Sequence, residues 1–146
     1  MTTVFIGGSR TVSRLNPVLR QRLDHVVKCR ARMIIGDSNG ADKAVQQFLA
    51  AQAYPHVTVY CAGACFNNLG NWPTRAVGMP KERALIADAR CGLILWDGKS
   101  PETPGIVRQL LSVHKKVLLY YAPAKTFHNF SIEPDLDRFL AASCRR

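Results

Sequence analysis

Three short glycine-bearing turns carry the residues that could bind a phosphate group. They read GGSR at residues 7–10, GDSNGAD at residues 36–42 and DGKSPET at residues 97–103. Glycine lets a ligand approach the backbone, and the first turn of a helix offers unpaired N–H groups at the positive end of its dipole. Hydroxyl and guanidinium donors accompany the glycines at Ser9, Arg10, Ser100 and Thr103. These residue types predict an anion-binding site.

The turn at residues 36–42 has two interpretations. Asp37, Ser38 or Asn39 caps the helix that follows, because these residue types are preferred at helix N-caps. Alternatively, the backbone around Gly36 and Gly40 forms a phosphate cradle. Three such turns favour the cradle, which can also be a cap. Either Asp37 or Asp42 then holds ribose hydroxyls, as an acidic residue does in dinucleotide folds, while the other caps the helix.

Short apolar runs alternate with helical patterns along the chain and predict the elements that position these turns. Strands are expected at residues 3–8, 32–37, 56–63, 91–98 and 115–123, and helices at residues 13–32, 41–53, 80–90, 103–114 and 133–142. This alternation predicts an α/β, Rossmann-like three-layer sandwich with a mostly parallel sheet of about five strands. Ligands of such sheets bind beyond the carboxyl ends of the strands, so Gly7, Gly8, Asp97 and Gly98 are candidate site residues as well.

A long irregular segment, residues 62–79, and the helix after it supply further candidates. Trp72 either stacks on a base or plugs the edge of the sheet. Arg75 either closes on a phosphate or is an ordinary surface arginine. Glu82 is a candidate catalytic carboxylate, or a first-turn residue favoured by the helix dipole. Asp37 is the second catalytic candidate.

Composition limits the class of protein. The chain has 146 residues, which is short enough for a single domain spanning residues 1–146, and its apolar fraction of 47% is ordinary. Twenty Lys and Arg against ten Asp and Glu give a net charge of +10, which favours anionic partners, nucleic acid included. No apolar run approaches a membrane span, and we expect a cytoplasmic protein. The five cysteines are expected to be free thiols. The histidines show no ligand spacing, so neither a metal nor a cofactor is expected.

The turns match neither the Walker sequence nor G-x-G-x-x-G. Together with GNWPTR at residues 70–75, they resemble the SLOG (SMF/DprA–Lonely-guy) Rossmann-like superfamily. The likeness is greatest to its small stand-alone bacterial members, which carry GDxNGADKAVQ, GNWPTR and LWDGKSxGT, and it covers nearly the whole chain. It implies nucleotide or nucleotide-derived ligands, and relatives often form dimers, so we expect a homo-oligomer. The site residues that it implies are Gly8, Ser9, Arg10, Gly36, Asp37, Gly40, Asp42, Asp97, Gly98, Ser100 and Thr103.

The enzymatic branch of that superfamily, the Lonely-guy phosphoribohydrolases, carries P-G-G-x-G-T-x-x-E. Here Thr103 is present, whereas Glu102 replaces the glycine before it and Ile106 stands where the glutamate belongs. The leading expectation is therefore a protein that binds a nucleotide or a nucleotide-derived ligand without strong catalysis. The alternative is a hydrolase or transferase acting on a nucleotide N-glycosidic or phosphate bond, with its acid or base among Asp37, Asp42, Glu82 and Asp97. A nucleic-acid-binding module is the third hypothesis.

Overall fold

The computed structural model describes residues 1–143. Within them, seven strands and five helices follow one another along the chain. The strands are β1 (Thr3–Gly8), β2 (Arg32–Gly36), β3 (Val57–Cys61), β4 (Thr74–Ala76), β5 (Cys91–Trp96), β6 (Lys116–Tyr121) and β7 (Thr126–Phe130). The helices are α1 (Pro17–Lys28), α2 (Ala41–Ala51), α3 (Lys81–Asp88), α4 (Glu102–Ser112) and α5 (Glu133–Ser143).

All the strands pair in one sheet with the order β4-β3-β2-β1-β5-β6-β7. Every neighbouring pair is parallel except β6 and β7, which are antiparallel. The predicted α/β class with a mostly parallel sheet is confirmed, but the predicted number of about five strands is wrong. Strands β4 and β7 were missed because both lie at sheet edges. An edge strand has one neighbour and needs no continuous apolar run, and all three residues of β4 are exposed.

Helices cover both faces of the sheet and create two separate cores. Leu19 and Leu23 of α1 pack with Val45 and Leu49 of α2 against one face. Helices α3, α4 and α5 cover the other face, where Leu110 of α4 is fully buried. The central strands are buried on both sides, which explains why their sequences are continuous apolar runs rather than alternating ones.

Helix α1 is shorter than the predicted span of residues 13–32. The Oδ1 atom of Asn16 accepts a hydrogen bond from the backbone N–H of Leu19 at 2.8 Å, and Pro17 fills the first helical position. Both features are typical helix starts. The helix ends before Arg30, whose φ of 56° is left-handed.

The prediction of free thiols is wrong for two cysteines. Cys61, the last residue of β3, forms a disulfide with Cys65 in the loop that follows. Cys29 and Cys91 are free thiols, as predicted. Cys144 lies outside the described residues. Between residues 1 and 143, every helix is too short or too polar to cross a membrane.

Candidate functional site

The order of the strands creates a crevice between β1 and β5. From β1 the chain proceeds through α1 to β2 on one side, whereas from β5 it proceeds through α4 to β6 on the other. Ligands of open α/β sheets bind beyond the carboxyl ends of the strands at such a switch in direction. A cavity of about 450 Å³ lies there, and we call it the switch-point cleft. Its lining includes Gly8, Gly36, Asp42, Lys81, Glu82 and Thr103.

Glycines line this cleft because the surrounding atoms leave no room for side chains. A Cβ atom at Gly8 would collide with the carbonyl oxygen of Leu95 on the neighbouring strand. One at Gly36 would lie 2.6 Å from Oδ2 of Asp42. Gly40, which precedes α2, has a φ of +82° and packs directly against the backbone of Arg10. The first two turns are therefore in contact, as their shared position at the strand ends predicted.

Two buried hydroxyls join the end of β1 to the start of α4. Ser9 Oγ and Thr103 Oγ1 lie 3.2 Å apart, and Ser9 Oγ also accepts a hydrogen bond from the backbone N–H of Asp97 at 3.2 Å. Both serine and threonine are almost fully buried, although both line the cleft. They hold the turns at residues 7–10 and 97–103 together, and Ser100 lines the cleft beside them.

Three helices begin at the rim of the switch-point cleft. Helix α2 starts after Gly40, α3 after Pro80 and α4 after Pro101, and none of these three starts has a side-chain cap. The predicted capping of α2 by Asp37, Ser38 or Asn39 is therefore wrong. A glycine of positive φ starts the helix instead, and the positive ends of three helix dipoles face the cleft. This arrangement favours a negatively charged ligand.

Asp42 presents a buried carboxyl group to the cleft. Burial raises its pKa to about 7, although the backbone N–H of Ser38, which donates to Oδ2 at 3.2 Å, and the charge of Lys81 oppose the rise. Oδ1 has no hydrogen bond within residues 1–143, yet no fully buried side-chain polar atom there lacks a partner. Oδ1 is therefore open to the cleft, and near neutral pH the group can either donate or accept a hydrogen bond.

Asp37 lies close to Asp42, but its pKa is shifted in the opposite direction. Burial would raise its pKa, but the ion pair with Lys81 and the backbone N–H of Phe66, 2.9 Å from Oδ2, hold the pKa below its usual value. Asp37 is thus a carboxylate at neutral pH, and both of its oxygens already have partners. Of the two candidate ribose-binding residues, Asp42 is the one with an available oxygen in the switch-point cleft.

A second cavity of about 550 Å³ adjoins the switch-point cleft, and we call it the loop cavity. Both cavities are lined by Arg10, Ser38 and Lys81, so these residues mark the junction. The remaining walls of the loop cavity are formed by Asp37, Asn39, Ala62, Phe66, Asn67 and Met79. Asn39, a predicted site residue, therefore belongs to the loop cavity rather than to the cleft.

Five predicted site residues line neither cavity: Gly40, which packs against Arg10 as described above, and Asp97, Gly98, Trp72 and Arg75. Asp97 accepts hydrogen bonds from Thr11, Lys99 and Ser100 and shapes the turn after β5, with its pKa held well below the usual range because these bonds outweigh burial. Gly98, with a φ of +81°, packs against Pro123 and Tyr121.

Trp72 and Arg75 occupy the far edge of the sheet. Trp72 is 7% exposed and its Nε1 donates to the carbonyl of Tyr54 at 2.7 Å, which fits the plug rather than the stacking interpretation. Arg75 pairs with Asp88 and contacts the Tyr60 ring.

Besides Lys81, the residues around the cavities that were not predicted include Gln46 and Phe66. Gln46 is fully buried on α2, and its Nε2 donates to the carbonyls of Gly36 at 3.0 Å and Asn67 at 3.1 Å. Its Oε1 accepts from the N–H of Leu69 at 3.0 Å. Phe66 is 85% exposed at the rim of the loop cavity. For Gln46, the available signal was a glutamine on the buried face of a helix. Nothing in the sequence marked Phe66.

One group of potential metal ligands is present within residues 1–143. Asp37, Cys61 and Cys65 bring their donor atoms within 4.8 Å of one another. The two sulfurs are bonded to each other as a disulfide, however, and metal coordination needs thiolates. In this state the cluster fastens the loop to the end of β3.

Comparisons with family models, curated proteins and solved structures found no match.

Proposed function

We propose that the switch-point cleft binds a nucleotide or a nucleotide-derived ligand. The observation that carries this proposal is the convergence of three helix starts without side-chain caps on one glycine-lined cavity at the switch point of a parallel sheet. The positive ends of three helix dipoles then lie beside a ligand phosphate in the cleft. Arg10 adds a planar guanidinium suited to bidentate phosphate contact.

An apolar wall supports a nucleotide over a simple inorganic anion. Phe5, Leu85 and Ile106 line the same cleft as the polar turns. Phe5 and Leu85 are almost fully buried, whereas Ile106 of α4 is partly exposed and is the more accessible part of this wall. A base or the face of a sugar can pack on such a wall, while a few polar groups fix its orientation. The cleft thus combines the two surfaces that a nucleotide presents.

Carboxyl groups near the same cleft suit the hydroxyls of a ribose. Asp42 Oδ1 is open to the cleft, and Glu82 in the first turn of α3 also lines it. A carboxylate accepts hydrogen bonds from two adjacent hydroxyls, as an acidic residue does in dinucleotide folds. Asp42 is therefore assigned to the sugar, and Arg10 with the helix starts to the phosphate.

Hydrolysis of such a ligand is the second candidate function. The observation that favours it is a carboxyl group of pKa about 7, Asp42, in the same cleft as a second carboxyl group, Glu82. A carboxyl group that exchanges its proton near neutral pH can act as general acid or general base. Incubation with nucleotides followed by chromatography would reveal released base or ribose phosphate. Unaltered nucleotide, bound but not consumed, would support binding alone.

The first test is isothermal titration with AMP, ADP and ADP-ribose. Saturable binding is expected, and Arg10→Ala should weaken it about tenfold or more, because a charged bidentate contact contributes about 1.5–3 kcal/mol. Arg14→Ala is the matched control, since this exposed arginine lines neither cavity and its loss should leave affinity unchanged. Equal losses in both variants would point to general charge rather than to a pocket.

A short oligonucleotide belongs in the same experiment. The proposal fails if no mononucleotide or dinucleotide binds while the oligonucleotide does so with strong salt dependence. That outcome would instead favour the nucleic-acid-binding hypothesis, because phosphate-backbone contacts release counterions.

A further inference from the structure

The loop cavity adjoins the switch-point cleft. Arg10, Ser38 and Lys81 line both, so a ligand in the cleft that extends past Arg10 enters the loop cavity. At about 450 and 550 Å³, each cavity is within the range of small-molecule pockets. A mononucleotide in the cleft would leave the second cavity to solvent.

Two cations stand at the junction. Lys81 is partly neutralised by its ion pair with Asp37. Arg10 forms no side-chain ion pair or hydrogen bond with any residue in the described part of the chain. Its guanidinium is thus available at the position that separates the two cavities. A negatively charged linker between two halves of a ligand would meet both cations there.

An exposed aromatic ring lies at the rim of the loop cavity, on a backbone that hydrogen bonds hold in place. Phe66 is 85% exposed, yet its backbone N–H donates to the buried Asp37 at 2.9 Å. The next residue, Asn67, donates from Nδ2 to the Asp37 carbonyl at 2.8 Å and to Asn39 Oδ1 at 3.1 Å. A solvent-exposed phenyl ring on a hydrogen-bonded backbone can stack on a ligand base.

Met79 supplies a second apolar wall, at 77% exposure. A thioether adapts to flat ligands, and exposed apolar groups at a cavity rim mark binding sites. Asn39 adds polar capacity, since its side-chain nitrogen has no hydrogen bond within residues 1–143 and can donate to a base edge. The loop cavity therefore offers a base or second sugar both stacking and polar contacts.

We infer that the loop cavity is a second subsite, and that the ligand is bipartite: two nucleosides, or a nucleoside and a second ribose, joined through a diphosphate. The inference rests on the proposed function and specifies its ligand class. One nucleoside occupies the switch-point cleft, the diphosphate passes Arg10 and Lys81, and the other half stacks on Phe66. A mononucleotide binds the cleft alone and with lower affinity.

The test compares AMP with diadenosine diphosphate and ADP-ribose by isothermal titration. The dinucleotide is expected to bind at least about tenfold more tightly than AMP. Phe66→Ala should remove about tenfold of dinucleotide affinity and change that of AMP by less than about twofold, since one base-stacking contact contributes about 1–3 kcal/mol. Met79→Ala should act in the same direction.

Ile132→Ala is the control, because this residue is also an exposed apolar side chain but lines neither cavity. Circular dichroism melting of each variant checks that it is folded. The second subsite is disproved if AMP binds and the dinucleotide binds no better, or if Phe66→Ala weakens both ligands equally. If neither AMP nor any bipartite ligand binds, the proposed function itself is overturned and the second subsite with it.

Discussion

At the scale of single residues, Asp42 links the stability of the fold to pH. Burial makes the folded protein hold this proton up to a pKa of about 7, whereas the ordinary value is 3.8. Between these values the folded state binds more protons than the unfolded chain, so the free energy of unfolding falls as pH rises through this window and levels off above it. Asp42→Asn should remove this contribution and stabilise the protein at pH 8, on the order of 1.4 kcal/mol per pKa unit relieved.

Urea unfolding at several pH values between about 4 and about 8 measures this effect. Asn keeps an oxygen that can accept from the N–H of Ser38, so the local hydrogen bond survives the change. Asp24→Asn on α1 is the control, because Asp24 lines neither cavity and its loss should leave the slope with pH intact. An Asp42→Asn variant with the wild-type slope would contradict a proton held in the cleft.

Residue types at the strand ends predicted much of the cleft but not the direction of each side chain. Gly36, Ser9 and Thr103 line it because parallel strands end at one edge of a sheet. Asp97 stands at an equivalent strand end, yet its oxygens turn back to the backbone of Lys99 and Ser100. Aspartate both binds ligands and builds turns, and only the local backbone decides between these uses.

At the scale of elements, Gln46 connects α2 to the end of β2 and to the loop at residues 67–69. Gln46→Ala would leave the Gly36 carbonyl, the Asn67 carbonyl and the Leu69 N–H without these partners. The variant should lose about 2–4 kcal/mol of stability, because unsatisfied buried polar groups each cost about 1–3 kcal/mol. Hydrogen exchange of the Leu69 amide should accelerate as well.

Gln47→Ala is the matched control, since Gln47 is the exposed neighbour on the same helix. Its change in stability should stay within about 0.5 kcal/mol. Unchanged exchange at Leu69 in Gln46→Ala would show that other contacts fix the loop.

The loop at residues 62–79 illustrates which elements the sequence patterns predict and which they do not. Residues 62–79 were expected to be irregular, and they contain β4, a three-residue exposed strand. Central strands such as β5 reveal themselves through continuous apolar runs, since both faces are covered by helices. The contacts that hold the loop come from Gln46 and Asp37, which are 20 or more residues away in the sequence. A local sequence pattern carries no information about contacts with residues that distant along the chain.

At the scale of the whole molecule, the net charge of +10 is spread widely rather than concentrated in the cleft. Arg10 and Lys81 are the basic residues that line the two cavities, whereas Asp42, Glu82 and Glu102 line the cleft with them. Arg32, Arg90 and Lys116 lie at the opposite, amino ends of the strands. The excess charge therefore acts on a ligand mainly through its long-range field, while the direct contacts are few.

Salt should separate these two contributions. Raising NaCl from about 50 to about 500 mM shortens the Debye length from roughly 14 to roughly 4 Å and screens the long-range field. The association rate of AMP should fall several-fold, whereas its dissociation rate, set by contacts at Arg10 and the helix starts, should change little. Adenosine lacks the phosphate and serves as the control, with binding nearly independent of salt. Stopped-flow measurements with both ligands give the two rates. A phosphate effect that appears only in dissociation would show that the global charge plays no part in capture, and that the cleft alone recognises the anion.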